Sequence, residues 1–280
     1  MGSKLVKIAS YLPEYRLNNK ELAEKFKRWE PDKIEAKLGI RERHISAPGE
    51  TASDLAFNAA TRVLEGYDRE KIDMLVFCTQ SPDYFLPATS CVLQDRLALK
   101  RNVAAFDFNQ GCSGYIYGLA IAKSFINTGI ANSVLLLVGE TYSKHIHQKD
   151  LANKTIFGDG AAATIIEKSH KEGILEFVLG TDGTGKDNLI VRNGCFRSKY
   201  NENAEEKISD SGDVYTSNNL YMNGPEIFTF TIEAVPMAVE SCLEKNNTSL
   251  EEIDFVIFHQ ANSYMIDYLR KKLKIPKEKF

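Results

Sequence analysis

The chain has 280 residues, 43% hydrophobic and 26% charged, so it can bury a sizeable core and is neither disordered nor collagen-like. Its formal net charge of -3 gives no general attraction to nucleic acid, which argues against a nucleic-acid partner. No apolar run reaches the ~18 residues of a membrane span, and no signal-peptide pattern occurs. We therefore expect a cytoplasmic protein without a membrane partner.

Strands and helices alternate along the first part of the chain. The pattern predicts helices at residues 19–26, with an asparagine cap, and 51–65, then alternating strands and helices at 72–78, 88–97, 103–108, 113–126 and 134–138. The run at 72–78 is almost entirely apolar, which is typical of a strand buried on both faces. The helix at 113–126 lacks a polar face, which predicts burial all round. This alternation predicts a parallel or mixed sheet with right-handed crossovers.

The second part of the chain repeats an apolar pattern of the first. Residues 157–166 and 173–179 are predicted to pair as strands, 192–219 to form a surface excursion, and 228–243 a helix. The apolar pattern of 71–78 recurs at 252–259, and each follows a helix that ends in Leu-Glu. A chance match between two buried strands is the alternative. The repeat predicts two similar halves, residues 1–179 and 180–280, the second of them truncated.

Cys112 is the first candidate for chemistry. It lies between a predicted strand and a predicted helix, and Gly111 and Gly114 beside it would let a substrate approach the backbone closely. The unpaired N–H groups and positive dipole of a helix N-terminus favour the thiolate, which is the nucleophilic form of cysteine. A small buried cysteine in a tight turn is the alternative. The five cysteines are odd in number and never spaced C-x-x-C, which argues against a disulfide framework and a zinc site.

His259 is the second candidate, at the end of the repeated strand pattern. Functional sites in parallel sheets gather beyond the carboxyl ends of strands, where a histidine can donate or accept a proton. A hydrogen-bonded core histidine is the alternative. Two weaker signals are set aside: the G-x-G-x-x-A pattern at 158–163 continues as a strand rather than a helix, and His145 and His147 lack a third metal ligand. No metal site is expected.

Seven segments match, in order, motifs of one enzyme family. They are Tyr11–Glu14, Gly39–Arg43, Glu50–Ala56, Gly111–Gly114, Phe157–Ala161, Met222–Gly224 and His259–Asn262. In combination the chain resembles the β-ketoacyl-acyl-carrier-protein synthase III family of thiolase-fold condensing enzymes. The resemblance implies an α/β, thiolase-like fold of five layers, α/β/α/β/α, with two similar halves. On this alignment the second half is truncated.

The resemblance also implies an activity. A family member is an acyltransferase that condenses an acyl thioester with malonyl-acyl carrier protein in fatty-acid or specialised acyl-chain synthesis. Cys112 would be acylated, and His259 would assist decarboxylation and condensation, while the family's third catalytic residue, an asparagine, is expected beyond Phe280. No separate cofactor is implied, because the substrate is itself an acyl-CoA or acyl-ACP thioester. Thioester binding is assigned to three further positions, Gly224, Asn262 and Leu86.

Departures from the family's pattern concern the substrate. Lys33 stands where users of acetyl-CoA carry a tryptophan, which favours a specialised priming thioester. The family pairs its subunits through an edge strand, placed here at 134–138, so the resemblance predicts a homodimer. Two alternatives stay open: acyl transfer or thioester hydrolysis by Cys112 without condensation, and a non-catalytic partner subunit or fragment.

Overall fold

The computed structural model describes residues 2–209 and 211–280. It divides into two compact units, each formed from separate stretches of the chain. The first unit holds the chain up to Arg16, His44–Thr141 and Asp159–Leu175, and the second holds Leu17–Arg43, Tyr142–Gly158 and Glu176–Phe280. The division into halves at residue 179 stays a prediction. None of the helices in the described residues has the length and apolar character needed to span a bilayer.

The elements follow the chain in this order. The strands are β1 Gly2–Tyr11, β2 Tyr15–Asn18, β3 Glu42–Ile45, β4 Met74–Cys78, β5 Ala104–Phe108, β6 Ser133–Glu140, β7 Gly160–Ser169, β8 Leu189–Ile190, β9 Lys207–Ile208, β10 Val214–Tyr215 and β11 Tyr221–Met222. The helices are α1 Asn19–Phe26, α2 Pro31–Leu38, α3 Ala52–Val63, α4 Thr89–Arg96, α5 Gly114–Asn127, α6 Leu151–Ile156, α7 Gly224–Lys245 and α8 Ser263–Lys272. Short 3₁₀ turns include Arg69–Lys71 and Leu250–Glu252.

The first unit is built on a five-stranded mixed sheet in the order β1-β7-β6-β4-β5. Strand β4 is parallel to both β5 and β6, whereas β7 runs antiparallel to β6 and β1. All residues of β4 are buried, as expected for an apolar strand with neighbours on both sides and helices on both faces. The predicted mixed sheet and the predicted alternation of 72–138 are confirmed.

Two predictions about strand pairing are wrong. Strand β6 was expected at an edge of the sheet but lies inside it, between β4 and β7. Residues 173–179 do not pair with β7, because β7 is already paired along its length with β1 and β6. The carbonyls of Ile174 and Leu175 instead accept hydrogen bonds from Lys123 Nζ, at 2.8 and 3.0 Å.

Helices cover both faces of this sheet. Because side chains alternate along a strand, Leu135 and Leu137 of β6 join the core under α3, and Leu136 faces α5. Helix α5 approaches closely: a Cβ on Gly118 would lie 2.6 Å from Leu136 Cδ1. The prediction that α5 is buried all round is wrong, since Ile116 is 45% exposed. The helix buries only the face toward the sheet of its own unit.

Helices dominate the second unit. Asn18 caps α1 by accepting the Glu21 N–H at 3.0 Å, which confirms the predicted asparagine cap. The predicted helix at 228–243 is confirmed within α7, which packs against α8. Buried Arg43 donates from Nε to the Thr155 carbonyl at 2.7 Å, and burial lowers its pKa to about 10.

The repeated segment 253–258 is not a strand, so this part of the repeat prediction is wrong. The 3₁₀ turn Leu250–Glu252 precedes it just as Arg69–Lys71 precedes β4, so the resemblance of the preceding helix and turn is real. A strand, however, needs neighbouring strands, and in the described residues no ladder includes this segment. Phe255 and Ile257 are accordingly 71% and 87% exposed.

Candidate active site

Cys112 lies in the turn between β5 and α5, as predicted. The Gly114 N–H donates to the Gly111 carbonyl at 2.8 Å, which closes a tight turn around Cys112 and Ser113. Cys112 is exposed, and α5 begins directly after this turn. The fold therefore presents an accessible thiol at the carboxyl end of a parallel strand, which is the usual place for chemistry in such sheets.

Close packing requires glycine at position 114 and leaves little room for a side chain at Gly111. A Cβ on Gly114 would lie 2.3 Å from Cys78 Sγ, and one on Gly111 would lie 3.1 Å from Gln80 Oε1. Burial raises the pKa of Cys78 to about 12, so its thiol stays protonated and donates to the Gln110 carbonyl at 3.2 Å. From the sequence, these glycines were expected to leave space for a substrate. In the structure, the space beside Gly114 is filled by the Cys78 side chain, and the space beside Gly111 by the Gln80 side chain.

Replacing Gly114 by alanine should force the Cys112 turn away from Cys78. We expect the free energy of unfolding to fall by about 1–3 kcal/mol, as for other overpacked sites, and acylation of Cys112 to slow. Thermal unfolding and the acylation rate measure the two effects. In Cys78→Ala/Gly114→Ala the nearest atom of residue 78 is its Cβ, 3.8 Å away, so the clash is relieved. A double variant no more stable than Gly114→Ala would contradict this account.

A carboxylate not predicted from the sequence lies beside this turn. Glu140 Oε1 accepts the Gln80 backbone N–H at 2.7 Å, and its Oε2 accepts the Ser81 hydroxyl at 2.9 Å. Burial, aided by the negative charge of Asp159, raises the pKa of Glu140 to about 7, against the two hydrogen bonds that lower it. The signal was present in the sequence: Glu140 ends an apolar strand, which is the same feature that singles out His259.

The pKa of the Cys112 thiol is raised, so the predicted lowering at the helix N-terminus is wrong in direction. Burial is the largest cause, and the negative charge of Glu140 acts in the same sense, whereas a backbone hydrogen bond opposes both. The residue still reaches the surface, so the thiol is both accessible and poorly solvated. The thiol is therefore protonated at neutral pH, and its proton must leave when the sulfur attacks.

His259 belongs to the second unit and lies in the irregular segment before α8. Its residue surface is exposed, yet the surrounding protein desolvates the ring and lowers its pKa. The imidazole is therefore neutral at neutral pH and carries one N–H donor. Asn262 caps α8, with Oδ1 accepting the Met265 N–H at 2.9 Å, so this side chain has a structural role.

The other predicted binding residues lie in both units. Gly224 begins α7, where a Cβ would have nothing within 4 Å beyond its chain neighbours and its own helix backbone, so packing does not require glycine there. Phe228 stacks on Tyr264 at 5.8 Å, which brings the starts of α7 and α8 together. Leu86 is 82% exposed, in the loop before α4. Cys112 and Leu86 thus belong to the first unit, and His259, Gly224 and Asn262 to the second.

Comparisons with known proteins agree on one family. The family model for 3-Oxoacyl-[acyl-carrier-protein (ACP)] synthase III matches residues 106–183, and the model for its C terminal part matches 243–280. A "Beta-ketoacyl-[acyl-carrier-protein] synthase III" of Clostridium perfringens is 36% identical over 282 residues, covering 100% of this chain and 83% of that protein. The same-named protein of Caldanaerobacter subterraneus subsp. tengcongensis is 39% identical, covering 96% and 80%. The chain belongs to the β-ketoacyl-acyl-carrier-protein synthase III family.

Solved structures of synthase III proteins share the fold. A 2.1 Å crystal structure of a 3-oxoacyl-(acyl-carrier-protein) synthase III matches with a TM-score of 0.98 and 45% identity, covering 100% of this chain and 85% of the other. The resemblance stated from the motifs and the thiolase-like α/β fold are confirmed. The synthase III match at 106–183 contains Cys112, and the C-terminal match contains His259 and Asn262.

The remaining weak signals of the sequence have structural explanations in this synthase III chain. Asp159, in the glycine-rich segment, accepts the Ser46 backbone N–H at 2.8 Å and its hydroxyl at 2.7 Å, and Gly160 begins β7 rather than a helix. His147 Nε2 lies 3.7 Å from a carboxylate oxygen of Glu206. Across residues 2–209 and 211–280, no three His, Cys, Asp or Glu side chains gather as metal ligands.

Proposed function

We propose that the protein condenses an acyl thioester with malonyl-acyl carrier protein, with loss of CO₂, through an acyl-cysteine intermediate on Cys112. Family membership supports the reaction class, an acyltransferase of fatty-acid or specialised acyl-chain synthesis. The observation that carries the nucleophile is the accessible Cys112 thiol in the turn between β5 and α5. A sulfur nucleophile suits this task because it attacks thioesters without a strong neighbouring base.

In the first step the Cys112 sulfur attacks the thioester carbonyl of the acyl donor. A new carbon–sulfur bond forms, the donor's carbon–sulfur bond breaks, and the departing thiolate takes up the proton that Cys112 loses. The backbone N–H of Cys112 favours the thiolate during attack.

In the second step malonyl thioester loses CO₂, and the bond electrons form an enolate that attacks the acyl carbon on Cys112. The new carbon–carbon bond releases the Cys112 thiolate. A neutral N–H donor suits the developing enolate oxygen, and His259 is neutral at neutral pH because burial lowers its pKa. We assign the stabilisation of the enolate to His259.

The substrate carries its own activated group, so we propose that no separate cofactor takes part. Acyl-CoA or acyl-ACP is the donor, and acyl carrier protein is the partner that brings malonate. Gly224, Asn262 and Leu86 are the proposed contacts to the thioester. We also propose that the protein acts in the cytoplasm.

We further propose a homodimer, with β5 as the pairing strand. In the described part of the chain β5 has a strand neighbour on one side only. The other edge strand, β1, carries Lys4 and Lys7 and an irregular register between Leu5 and Lys7, features that discourage edge pairing. Strand β5, of sequence AAFDF, has no lysine.

Sedimentation should therefore give a dimer, and a change at the free edge of β5 should dissociate it. The Ala104 N–H points toward β4, donating to the Asp73 carbonyl at 3.0 Å, so the Ala105 N–H points outward. Ala105→Pro removes this outward donor and leaves the β4 ladder intact. We expect a folded monomer by sedimentation and circular dichroism. A wild-type monomer would contradict the dimer, and a dimeric Ala105→Pro would exclude β5 as the pairing strand.

The proposed reaction is tested by intact-protein mass spectrometry with acyl thioesters of several chain lengths. One acyl group should be added per chain, and malonyl-acyl carrier protein should then remove it with release of CO₂. Peptide mapping should place the acyl group on Cys112 and not on Cys91 or Cys195, which are also exposed. Removal of the acyl group by water alone would favour thioester hydrolysis, and no adduct at all would exclude Cys112 as the nucleophile.

A further inference from the structure

We propose that Glu140 is a positioning residue for the nucleophile: its carboxylate fixes the segment after β4, and that segment forms one wall of the Cys112 turn. The inference rests on the proposed function, because it takes Cys112 as the nucleophile.

The register of the three central strands places the residues around Glu140 and the Cys112 turn at the same edge of the sheet. Cys78 of β4 pairs with Phe108 of β5 and with Val138 of β6, all in parallel. Two residues further along the chain come Gln80 and Gln110, just beyond the ends of β4 and β5, and Glu140, the last residue of β6. Parallel strands in register bring their carboxyl ends to the same edge of the sheet, so these residues start from neighbouring positions beside the Cys112 turn.

Both oxygens of the Glu140 carboxylate are engaged by the segment that follows β4. The Gln80 N–H donates to Oε1 at 2.7 Å and the Ser81 hydroxyl to Oε2 at 2.9 Å, so two donors from adjacent residues fix its orientation. The Ser81 hydroxyl in turn accepts the Thr141 N–H at 3.4 Å, which ties the segment back to the end of β6.

The segment held by Glu140 contacts the Cys112 turn through the Gln80 side chain. Gln80 Nε2 donates to Asn109 Oδ1 at 3.1 Å, and Gln80 Oε1 would lie 3.1 Å from a Cβ on Gly111. A shift of the Gln80 backbone would therefore displace Asn109 and Gly111. Since Cys112 follows Gly111 directly, the sulfur's position depends on the Glu140 carboxylate.

The same carboxylate also acts on Cys112 through its charge. Ionised Glu140 raises the pKa of the Cys112 thiol, and it faces two further acidic groups, Asp159 and the buried Cys78 thiol. With a pKa of about 7, Glu140 loses its charge as the pH falls below neutrality, and its contribution to the Cys112 pKa then disappears. Position and charge are separable, which makes the proposal testable.

The test compares Glu140→Gln with the wild type in two assays. Alkylation of Cys112 by iodoacetamide across a pH series, followed by peptide mapping, reports the thiol pKa. Acylation kinetics report kcat and KM. We expect the thiol pKa to fall because the nearby charge is gone, and kcat to fall on the order of 10- to 100-fold with KM little changed, because the sulfur is misplaced.

Two further variants separate the causes. Glu172→Gln is the matched control: Glu172 accepts from the Ser3 N–H at 3.1 Å and the Ser3 hydroxyl at 3.5 Å, beyond the far end of β7. It should leave both assays unchanged. Gln80→Ala keeps the backbone N–H of residue 80 and leaves the charge of Glu140 in place, but it removes the side chain that contacts Asn109 and lies beside Gly111. In this variant kcat should therefore fall without a shift in the pKa of the Cys112 thiol.

The proposal would be overturned if Glu140→Gln and Glu172→Gln gave the same pH profile of Cys112 alkylation and the same acylation kinetics. A wild-type kcat in Gln80→Ala would overturn it as well. Failure of the proposed function would give a different result from failure of this inference. The wild type would then form no acyl adduct, but iodoacetamide alkylation would still measure the effect of Glu140 on the pKa of the Cys112 thiol.

Discussion

Cys112→Ala is expected to form no acyl adduct and to lose condensation by a factor on the order of 10⁴ or more, because the variant lacks the sulfur on which the acyl-cysteine intermediate forms. Intact-protein mass spectrometry and product formation from malonyl-acyl carrier protein measure the two effects. The fold should be unaffected, since Cys112 is an exposed residue in a turn and does not belong to the hydrophobic core cluster.

Cys195→Ala provides the matched control for this variant. Cys195 is also an exposed cysteine, but it lies in the surface segment after β8, in the second unit. We expect wild-type acylation and condensation from it. If Cys112→Ala retained its function, the chain would act as a non-catalytic partner, and if Cys195→Ala lost its adduct, the nucleophile would be misassigned.

His259→Ala should separate the two steps of the reaction. The acyl adduct on Cys112 should still form, because sulfur attack does not use the imidazole. Release of CO₂ from malonyl-acyl carrier protein should fall ~10²–10³-fold, the usual effect of removing one donor to a developing oxyanion. Mass spectrometry of the adduct and a CO₂ assay distinguish the steps.

His170→Ala is the control for His259→Ala, since His170 is an exposed histidine just after β7. It should leave both steps at wild-type rates. Equal losses of acylation and decarboxylation in His259→Ala would instead indicate that His259 serves as a base for Cys112, which would overturn the division of roles.

The elements from β4 to β6 could be predicted because each depends on its own residues. The apolar run of β4 and the turn around Cys112 before α5 are local signals, and both lie where they were predicted. The order of strands could not be predicted in the same way. Strand β6 lies inside the sheet because β7 pairs with its other edge and β1 pairs with β7. These pairings join parts of the chain that are distant in sequence.

The segment 253–258 shows more clearly that strand pairing cannot be predicted from the local sequence pattern. It has nearly the same apolar pattern as β4, yet in the described residues it joins no strand ladder and leaves Phe255 and Ile257 exposed, whereas β4 is completely buried. Composition predicts which residues can enter a sheet, but burial depends on the neighbouring strands. Periodicity alone therefore could not distinguish the two.

The place of Cys112 between β5 and α5 was predicted, but the electrostatics around its thiol were not. The helix N-terminus after Cys112 is a local feature, whereas the burial and the Glu140 charge that raise the thiol pKa come from other strands. Glu140 itself acquires its role from Gln80 and Ser81, which are distant in sequence. A carboxylate at a strand end is visible in the sequence, but its partners are not.

The common register of Cys78, Phe108 and Val138 sets a rule for redesigning this enzyme. Substitutions near the site change one contact at a time, but inserting or deleting a residue in the last part of β4, β5 or β6 would turn the following side chains to the opposite face. Chain length is therefore fixed at these three strand ends. If Leu86 contacts the thioester as proposed, substitution in the exposed loop around it is the better route to new acyl specificity, because this loop lies outside the ladder.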